Sequence, residues 1–518
     1  MNLLATGLCL VYSLRLQGVI DDLLAHRVVV ARRVSNRLVY MSTVDTVKGK
    51  MTQDQDNLRA RFCHALSEMY KAEVALYGDL VDLVWQADAE ALQTSQRQHG
   101  NTTPIINPDD ILPARNRVER HGAIRLGTAR ELSTIRRMFA VMGMLPVGYY
   151  DLSVAGFPMH ATAFRPRTRE ALARHLFRVF TTVLRMELLS ERTRALAERA
   201  LAQREIFTPR LLELLELAET NGSLSCKECD EFIAEGLETF RWHSRAAVTL
   251  EECRILKAEH PLVADIVSFP SCHINHLTPR TIDIDLVQRM MRERGMPVKE
   301  RIEGPSCRVN PILLRQTSFK ALEETVYFRD AGGEYVRGSH TARFGEVEQR
   351  GYALTRKGRR LYDQILARVN REAAGLEPVE YERILRKCFE EFPDDLVQLQ
   401  TQKLAFFCYR VAPYALQRKY QGVESVSLAQ LLKDNVLDYE PITYEDFLPL
   451  SAGGIFNSNL ANMSQSKQPI MEADADADLD GFQRMLGAPV LDEFYLYEQI
   501  QQESLETCCQ QLGIGSID

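Results

Sequence analysis

The feature of this sequence that most constrains its fold is the scattering of short strand-like stretches among long helical blocks. Alternating or β-branched composition predicts strands over 149–153, 160–166, 262–285, 312–319 and 343–355. Helical spacing of apolar residues over 56–89, and abundant Leu, Ala, Glu and Arg over 169–235, predict helices instead. A capping-box pattern, Thr128-Ala-Arg-Glu131, predicts another helix that runs to about Met144. The sequence therefore predicts an α+β chain with strands spread between helical insertions.

Composition narrows the class of protein. A chain of 518 residues, 45% of them hydrophobic, can bury a large core. Its net charge of −7 gives no sign of binding to the phosphate backbone of a nucleic acid. It has no apolar run of about 18 residues, so no membrane span is predicted. The odd count of 11 cysteines argues against a complete disulfide framework and is typical of reduced, intracellular thiols.

The first fifty residues differ from the rest. An uncharged stretch over 2–14 precedes several arginines, whereas a secretory signal carries its positive charge first. We interpret residues 1–52 as a poorly ordered extension or the product of a start codon placed too far upstream. The expected location is the cytoplasm. A mitochondrial presequence is the alternative, because the segment bears arginines, although Asp21 and Asp22 interrupt it.

Three polar clusters are candidates for one functional site. They span 119–128, 268–285 and 340–351, and the second contains both His273 and His276. His121 and Arg125 in the first cluster could converge on one ligand, or could be a capped surface histidine and a salt-bridged arginine. We predict that one residue from each cluster meets at one metal ion.

The third cluster supplies carboxylates. Glu346 and Glu348 lie in an alternating run, so both side chains would face one side of a strand. A buried carboxylate is costly unless it is paired or binds a metal, while the alternative is a solvent-facing strand flanked by Arg343 and Arg350. Two histidines and one such carboxylate make the set that holds Fe(II) and leaves open positions for substrate and O2.

Several long motifs in the same order resemble the 2-oxoadipate dioxygenase/decarboxylase family. They are Glu119-Arg-His-Gly-Ala-Ile-Arg125, His160-Ala-Thr-Ala-Phe-Arg-Pro166, Phe240-Arg-Trp-His243, His273-Ile-Asn-His-Leu-Thr-Pro-Arg280, Leu314-Arg-Gln-Thr-Ser-Phe-Lys-Ala-Leu-Glu-Glu324, Ala342-Arg-Phe-Gly-Glu-Val-Glu-Gln-Arg-Gly351, the stretch 441–456 and Val490-Leu-Asp-Glu-Phe494. The resemblance covers about residues 57–505. It implies a vicinal-oxygen-chelate fold similar to that of hydroxymandelate synthase, in which a curled β-sheet of βαβββ modules carries large helical insertions.

The resemblance also implies a site. Its iron ligands correspond to His121, His276 and Glu346, and its substrate-binding arginine, the catalytic candidate, to Arg125. Glu346 is chosen over Glu348 because Glu-Val-Glu-Gln-Arg is similar to the iron-binding strand of 4-hydroxyphenylpyruvate dioxygenases. His276 is chosen over His273 on the family motif alone. The remaining substrate contacts correspond to His121, His276, Leu450 and Ser451, where Leu450 replaces the Val of relatives.

The implied reaction converts 2-oxoadipate and O2 into 2-hydroxyglutarate and CO2, with Fe(2+) as cofactor and a 2-oxo dicarboxylic acid as substrate. No protein partner is indicated. Another metal-dependent lyase or isomerase of the same superfamily, or a non-catalytic binding homologue, is the alternative. The expected organisation is one dioxygenase domain over 53–505, with a helical insertion at about 168–260 and a C-terminal tail over 506–518.

Overall fold

The computed structural model describes residues 54–98, 121–330, 332–413, 420–448 and 478–518. The N-terminal extension predicted over 1–52 lies outside these ranges, as do Leu450 and Ser451. None of the helices in the described part of the chain combines the length and apolar character needed to cross a membrane.

Two helices, α1 (Gln55–Glu73) and α2 (Ala75–Gln98), precede the first strand. The sequence predicted continuous helical spacing here, but the chain breaks at Val74, whose N–H bonds the Tyr70 carbonyl and caps α1. The elements from the first strand to the seventh are β1 (His121–Leu126), α3 (Ala129–Val141), β2 (Leu145–Asp151), β3 (Met159–Arg165), α4 (Arg169–Arg174), β4 (Arg178–Leu184), α5 (Glu191–Leu201), α6 (Pro209–Asn221), α7 (Cys226–Phe240), β5 (Arg245–Thr249), α8 (Leu250–Glu259), α9 (Pro261–Ser268), β6 (His276–Thr278), α10 (Ile284–Glu293) and β7 (Leu314–Ser318).

The chain continues through a hairpin and a helical C-terminal region. Its remaining elements are β8 (Glu323–Arg329), β9 (Tyr335–Thr341), β10 (Glu346–Arg350), α11 (Arg356–Glu372), α12 (Pro378–Phe389), α13 (Leu396–Thr401), β11 (Phe407–Val411), β12 (Ser425–Val426), α14 (Leu428–Lys433), β13 (Leu437–Pro441), α15 (Leu479–Leu486), α16 (Glu493–Leu512) and β14 (Ser516–Ile517). Short 3-10 helices span Leu152–Ala155 and Met186–Leu188.

Strands β1 to β4 and helix α3 form the first βαβββ module. Their sheet order is β2-β3-β4-β1, with β1 parallel to β4 and the other neighbours antiparallel. Helix α3 begins where the sequence predicted, because the Thr128 hydroxyl accepts a hydrogen bond from the Glu131 backbone N–H. It ends at Val141, slightly before the predicted Met144.

A second module repeats this topology. Strand β6 is followed by α10, then by an extended segment over 298–303, then by β7 and β10. Strand β7 pairs antiparallel with that segment through isolated bridges and antiparallel with β10 through a full ladder. Strand β10 returns parallel to β6 through the Arg280–Glu348 bridge. The predicted α+β fold of βαβββ modules with helical insertions is therefore confirmed.

The two modules join edge to edge where β1 pairs antiparallel with β6, and we call this pairing the seam. The seam consists of three residue pairs: His121 with Thr278, Gly122 with Leu277 and Ala123 with His276. A Cβ atom on Gly122 would lie 2.8 Å from Ile274 Cδ1 and 3.0 Å from the His276 carbonyl oxygen. Glycine at this position therefore permits the close approach of the two edges.

The seam relates the modules by a pseudo-two-fold axis through the Gly122–Leu277 pair. By this relation His121 and His276 occupy equivalent positions, each opening the first strand of its module. Helices α3 and α10 follow the same relation. Their N-caps, Thr128 and Asp283, come the same number of residues after His121 and His276 in the sequence. The site described below is therefore assembled from both halves of a structural repeat.

The two faces of the joined sheet have different roles. Ile124 and Val179 point to one face and pack in a core with helices α1 to α3, α6 and α7. Ala123 and Phe180 point to the other face, where α9 and Phe447 cover them. Because side chains alternate along a strand, His121 and Arg125 share the face of Ala123. We call this second face the site face.

Three sequence predictions need correction. The stretch 262–285 was expected to be strand-like, but it contains α9, a loop and only three residues of β6. Helix α9 forms because Pro261 is at its first turn and the His260 Nδ1 accepts a hydrogen bond from the Leu262 N–H. The insertion predicted from 168 begins too early, since β4 belongs to the sheet.

The third correction concerns the C-terminus. The tail predicted over 506–518 instead forms the end of α16 and strand β14, which pairs parallel with β12. Helix α16 packs on β11, where the Ser504 hydroxyl accepts a hydrogen bond from the Tyr409 N–H at 3.0 Å. The domain limits of 53 and 505 stay a prediction.

Candidate metal centre

His121, His276 and Glu346 come together at the seam. They lie on β1, β6 and β10 respectively, and one potential ligand atom from each lies within 4.8 Å of the other two. All three side chains are completely buried. The three polar clusters of the sequence, which lie far apart along the chain, therefore each contribute one side chain to the same point of the fold.

The contacts of this trio fit a cation. His121 Nε2 lies 2.9 Å from Glu346 Oε2, and His276 Nε2 lies 3.6 Å from the same oxygen. Within the described residues, both ring nitrogens of His276 and Glu346 Oε1 make no hydrogen bond. Buried polar atoms are rarely left in this condition. Two imidazoles and one carboxylate around a shared point are a donor set for a transition metal.

Glu348 orients His121 from behind. Its Oε2 lies 2.8 Å from His121 Nδ1, so an Nδ1–H donated to Glu348 leaves the Nε2 lone pair directed at Glu346. A lone pair and a carboxylate oxygen at 2.9 Å repel each other unless a proton or a cation lies between them. Burial also holds the pKa of His276 well below its usual range, so its imidazole is neutral and able to ligate.

The two neighbouring carboxylates of β10 have different environments. Glu348 accepts hydrogen bonds from Arg178 and Arg350 at 2.8 Å and from Arg280 at 3.2 Å. Burial would raise the pKa of Glu348, but the Arg178 and Arg350 guanidinium groups hold it well below its usual range. Its charge is therefore already neutralised by protein cations. Glu346 has no arginine partner among the described residues and is the carboxylate that faces both histidines.

Two residues that the sequence analysis did not select hold Glu346 in place. Gln316 Nε2 donates to Glu346 Oε2 at 2.8 Å, and the Thr278 hydroxyl donates to the same oxygen at 3.1 Å. Both are fully or almost fully buried. Gln316 follows Arg315 in a motif of the resemblance and Thr278 follows His276 by two residues, so their strand positions were a usable signal.

The structural repeat explains why the first module supplies only one candidate ligand, whereas the second module supplies two. The register of β4 on β1 and of β10 on β6 makes Phe180 the first-module equivalent of Glu346. Phe180 offers no ligand atom, and its ring instead packs on Phe447 with 5.2 Å between ring centroids. His121, His276 and Glu346 would therefore hold a metal with three protein donors, and Phe180 would contribute none.

Arg125 lies on the site face of β1 and is 5% exposed. Its Nη1 donates to Asp265 Oδ2 at 2.7 Å, and Asp265 also contacts His340 Nε2 at 2.8 Å and Asn275 Nδ2 at 3.3 Å. Burial opposes ionisation of Asp265, but His273 and Arg125 hold its pKa well below the usual range. Of the alternative considered for this cluster, the surface histidine is wrong because His121 is buried, whereas Arg125 does form a salt bridge, and that salt bridge is buried.

Of the remaining residues selected from the sequence, His273 lies within the described residues, whereas two others do not. His273 is buried in the loop before β6, where its Nε2 lies 3.3 Å from Asp265 Oδ1 and it is not among the three candidate ligands. Leu450 and Ser451 lie outside the described residues. The described chain reaches Leu448, and Phe447 packs edge-on against His121 with 4.9 Å between ring centroids. The segment before Leu450 therefore covers the site.

A second group with metal-ligand spacing consists of His160, Glu187 and Asp478. Glu187 and Asp478 are at least partly exposed, and the Arg185 guanidinium bonds Glu187 at 2.7 Å and lies 3.9 Å from Asp478. The Arg185 guanidinium therefore already neutralises part of the charge of these two carboxylates. We therefore assign no metal to this group.

Fold and site together define a class: proteins of paired βαβββ modules with a buried two-histidine, one-carboxylate centre at the seam. Within that class, the family model for 2-oxoadipate dioxygenase/decarboxylase matches residues 62–459. The chain belongs to the 2-oxoadipate dioxygenase/decarboxylase family. This confirms the resemblance seen in the sequence motifs.

Individual relatives agree over most of the chain. A 2-oxoadipate dioxygenase/decarboxylase of Escherichia coli K12 is 49% identical over 454 residues, 88% of this chain and 98% of the relative. The Pseudomonas putida protein of that name is 48% identical over 468 residues, 89% of this chain and 98% of the relative. The crystal structure of hydroxyglutarate synthase from P. putida in complex with 2-oxoadipate superposes with a TM-score of 0.76 at 44% identity, covering 89% of this chain and 99% of that one.

Proposed function

We propose that this protein is an Fe(II)-dependent 2-oxoadipate dioxygenase/decarboxylase, which converts 2-oxoadipate and O2 into 2-hydroxyglutarate and CO2. The observation that carries the proposal is the convergence of His121, His276 and Glu346, with unsatisfied ligand atoms, in a chain of this family. The bound 2-oxoadipate of the P. putida structure supports the choice of substrate.

His121, His276 and Glu346 are the proposed iron ligands. Two imidazoles and a carboxylate, with no thiolate, suit Fe(II) and leave room for further ligands. When bound, Fe(II) supplies redox chemistry with O2 and a point at which the carboxylate and keto oxygens of a 2-oxo acid can chelate. The donor set does not by itself distinguish iron from other divalent metals, so the family membership supports this part of the proposal.

The chain's own residues supply position, orientation and exclusion of water. Glu348 fixes the His121 ring through Nδ1, while Gln316 and Thr278 fix the Glu346 carboxylate. Complete burial of the three ligands keeps water from the reacting carbon and strengthens every charge interaction there. Arg125 offers a guanidinium fork for one of the two substrate carboxylates.

The test of function is oxygen uptake by Fe(II)-loaded protein with a panel of 2-oxo acids. We expect uptake with 2-oxoadipate and formation of equal amounts of 2-hydroxyglutarate and CO2. Metal-dependent turnover without O2 consumption would identify a lyase or isomerase instead. Binding without turnover would identify a non-catalytic homologue. The proposed location is the cytoplasm, supported by the bacterial origin of the relatives, which lend no support to the mitochondrial alternative.

Replacing Arg125 should weaken use of 2-oxoadipate. Removing one member of a buried, hydrogen-bonded charge pair typically costs about 2–5 kcal/mol. At about 1.4 kcal/mol per tenfold, Arg125→Ala should lower kcat/KM roughly 30- to 1000-fold or more. Arg125→Lys should recover only part of this, because a point charge does not replace the fork. The measurement is kcat/KM for both variants, with iron stoichiometry beside it.

Iron content is the control for the Arg125 variants. Arg125 is not a ligand, so both variants should bind iron as the parent does. Asp265 keeps its contacts with His340 and Asn275 in these variants, which limits the structural effect. Parental kcat/KM in Arg125→Ala would show that the Arg125–Asp265 pair is purely structural. Arg280 or Arg315 would then become the better candidate for the substrate carboxylate.

A further inference from the structure

The segment over 444–447 belongs to neither module, yet it brings an aromatic ring to a proposed ligand. Phe447 is completely buried. The centroid of its ring lies 4.9 Å from that of His121 and 5.2 Å from that of Phe180. The position of this ring therefore bounds the space beside His121 on the site face.

Helix α16 holds the backbone just before this ring. The Tyr497 hydroxyl accepts a hydrogen bond from the Glu445 N–H at 2.7 Å and donates one to Asp446 Oδ2 at 2.6 Å. Burial, reinforced by Asp446, raises the pKa of Tyr497 well above its usual value, so the hydroxyl keeps the proton that it donates. One hydroxyl group thus joins the two consecutive residues that lead into Phe447.

The position of Tyr497 is fixed independently of the segment that it bonds. Helix α16 begins within Val490-Leu-Asp-Glu-Phe494, one of the motifs of the family resemblance. Leu491 bonds the edge strand β2 through both its N–H and its carbonyl, each at 2.9 Å. The Asp492 side chain then caps the first turn of α16. This motif therefore docks the start of α16 on the first module and places Tyr497 in reach of the segment.

Asp446 links the same hydroxyl to the first module. Its carboxylate accepts hydrogen bonds from Arg165 Nε and Nη2 on β3 at 2.6 and 2.8 Å. This two-point contact neutralises Asp446 with or without Tyr497. The buried Glu445 N–H, in contrast, would lose a partner with the hydroxyl, which is costly. The hydroxyl therefore contributes a fixed backbone rather than neutralisation of charge.

We propose that Tyr497 is a positioning residue for the reaction, which holds the Phe447 ring against His121 by fixing the backbone that leads into it. The proposal rests on the proposed function, and it makes the C-terminal helix a part of the catalytic assembly. A ring packed edge-on against an imidazole restricts its tilt and keeps water from it. A misplacement of about 1 Å that arises far from the reacting atoms can cost about 100-fold in rate.

The first test compares Tyr497→Phe with Ser504→Ala in the Fe(II)-loaded full chain. Each variant removes a buried hydroxyl of α16 that accepts a backbone N–H, that of Glu445 in one case and that of Tyr409 in the other. Ser504 lies about two helical turns beyond Tyr497 and bonds β11 instead of the segment.

The two variants should differ in turnover and agree in iron content. Tyr497→Phe should lower kcat for 2-oxoadipate by roughly 5- to 100-fold with parental iron stoichiometry. Ser504→Ala should keep kcat within about twofold of the parent, even where the two melting temperatures fall equally. Equal kcat in the two variants would overturn the proposal.

A double-mutant cycle shows whether Tyr497 acts through Phe447. Phe447→Leu keeps an apolar side chain but removes the ring from His121, and it should also lower kcat. If Tyr497 acts by holding that ring, adding Tyr497→Phe to Phe447→Leu should cost little more than Phe447→Leu alone. Losses that multiply in the double variant would contradict the proposal, because Tyr497 would then act on something other than the ring.

A structural measurement separates this proposal from the proposed function. Amide hydrogen exchange of the Fe(II)-loaded full chain, without substrate, reports opening of the segment over 444–447 whether or not the protein consumes O2. Tyr497→Phe should accelerate exchange there by at least about tenfold, whereas Ser504→Ala should accelerate it in β11 instead. Parental exchange over 444–447 in Tyr497→Phe would refute the role of Tyr497 even if the parent is a dioxygenase. Faster exchange beside a parent that consumes no O2 would support that hold on the ring and refute only the proposed function.

Discussion

His276→Ala is expected to yield a folded protein that binds no iron and consumes no O2. The substitution removes one of three ligands from a site with open positions, so little remains to hold the metal. Changes to groups that merely support a metal ligand cost about 10- to 100-fold in affinity, and loss of a ligand should cost more. Both ring nitrogens of His276 are unpartnered within the described residues, so no hydrogen bond of the protein is lost. Iron stoichiometry, O2 uptake and circular dichroism are the measurements.

The matched control is His273→Ala. His273 lies three residues before His276 and is also buried. It contacts Asp265 and none of the three candidate ligands. This variant should keep parental iron stoichiometry. Loss of iron in His273→Ala with retention in His276→Ala would exchange the two assignments.

Glu346→Gln and Glu348→Gln should fail in different ways, although the two residues are neighbours on one strand. Glu346→Gln removes the anionic ligand and should abolish iron binding and activity. Its melting temperature without metal should equal or exceed that of the parent, because a neutral amide replaces a buried carboxylate that has no arginine partner among the described residues.

Glu348→Gln should primarily destabilise the fold. It leaves Arg178, Arg280 and Arg350 around a neutral side chain, and breaking a buried ion pair in this way costs about 3–5 kcal/mol. Activity should fall less than in Glu346→Gln, since His121 keeps a hydrogen-bond acceptor at Nδ1. The melting temperature and iron content of both variants show which of the two carboxylates binds the metal and which stabilises the fold. An iron-free but stable Glu348→Gln, beside an iron-loaded Glu346→Gln, would move the metal ligand to Glu348.

The residues that meet at the candidate site were more predictable from the sequence than the bounds of several elements around them. The three clusters are recognisable because polar residues in strand-like surroundings require a reason to be buried, but the choice of His121, His276 and Glu346 within them rested on the family resemblance. The alternation of β10 showed that Glu346 and Glu348 share a face, yet it gave no basis for dividing their roles. That division depends on Arg178, which is distant in sequence and enters through the β1–β4 register.

Other features had no readable local signal. Asp265, the partner of Arg125, lies on a helix where β-branched composition predicted a strand, so neither its position nor its contact was foreseeable. One signal was present and overlooked: His-x-x-x-Arg occurs at 121–125 and again at 276–280, and it marks the structural repeat.

The seam has a consequence for how the two modules stay together. Within the described residues only three residue pairs join β1 to β6, and the proposed ligands His121 and His276 lie on these two strands. A metal bound by residues of both strands would link the two modules, so its binding free energy would stabilise their association directly. Metal depletion should therefore loosen the molecule along this line first, with faster amide hydrogen exchange in β1 and β6 than in the outer strands. Neither module alone carries all three proposed ligands. Metal binding therefore requires that the two modules are folded and associated.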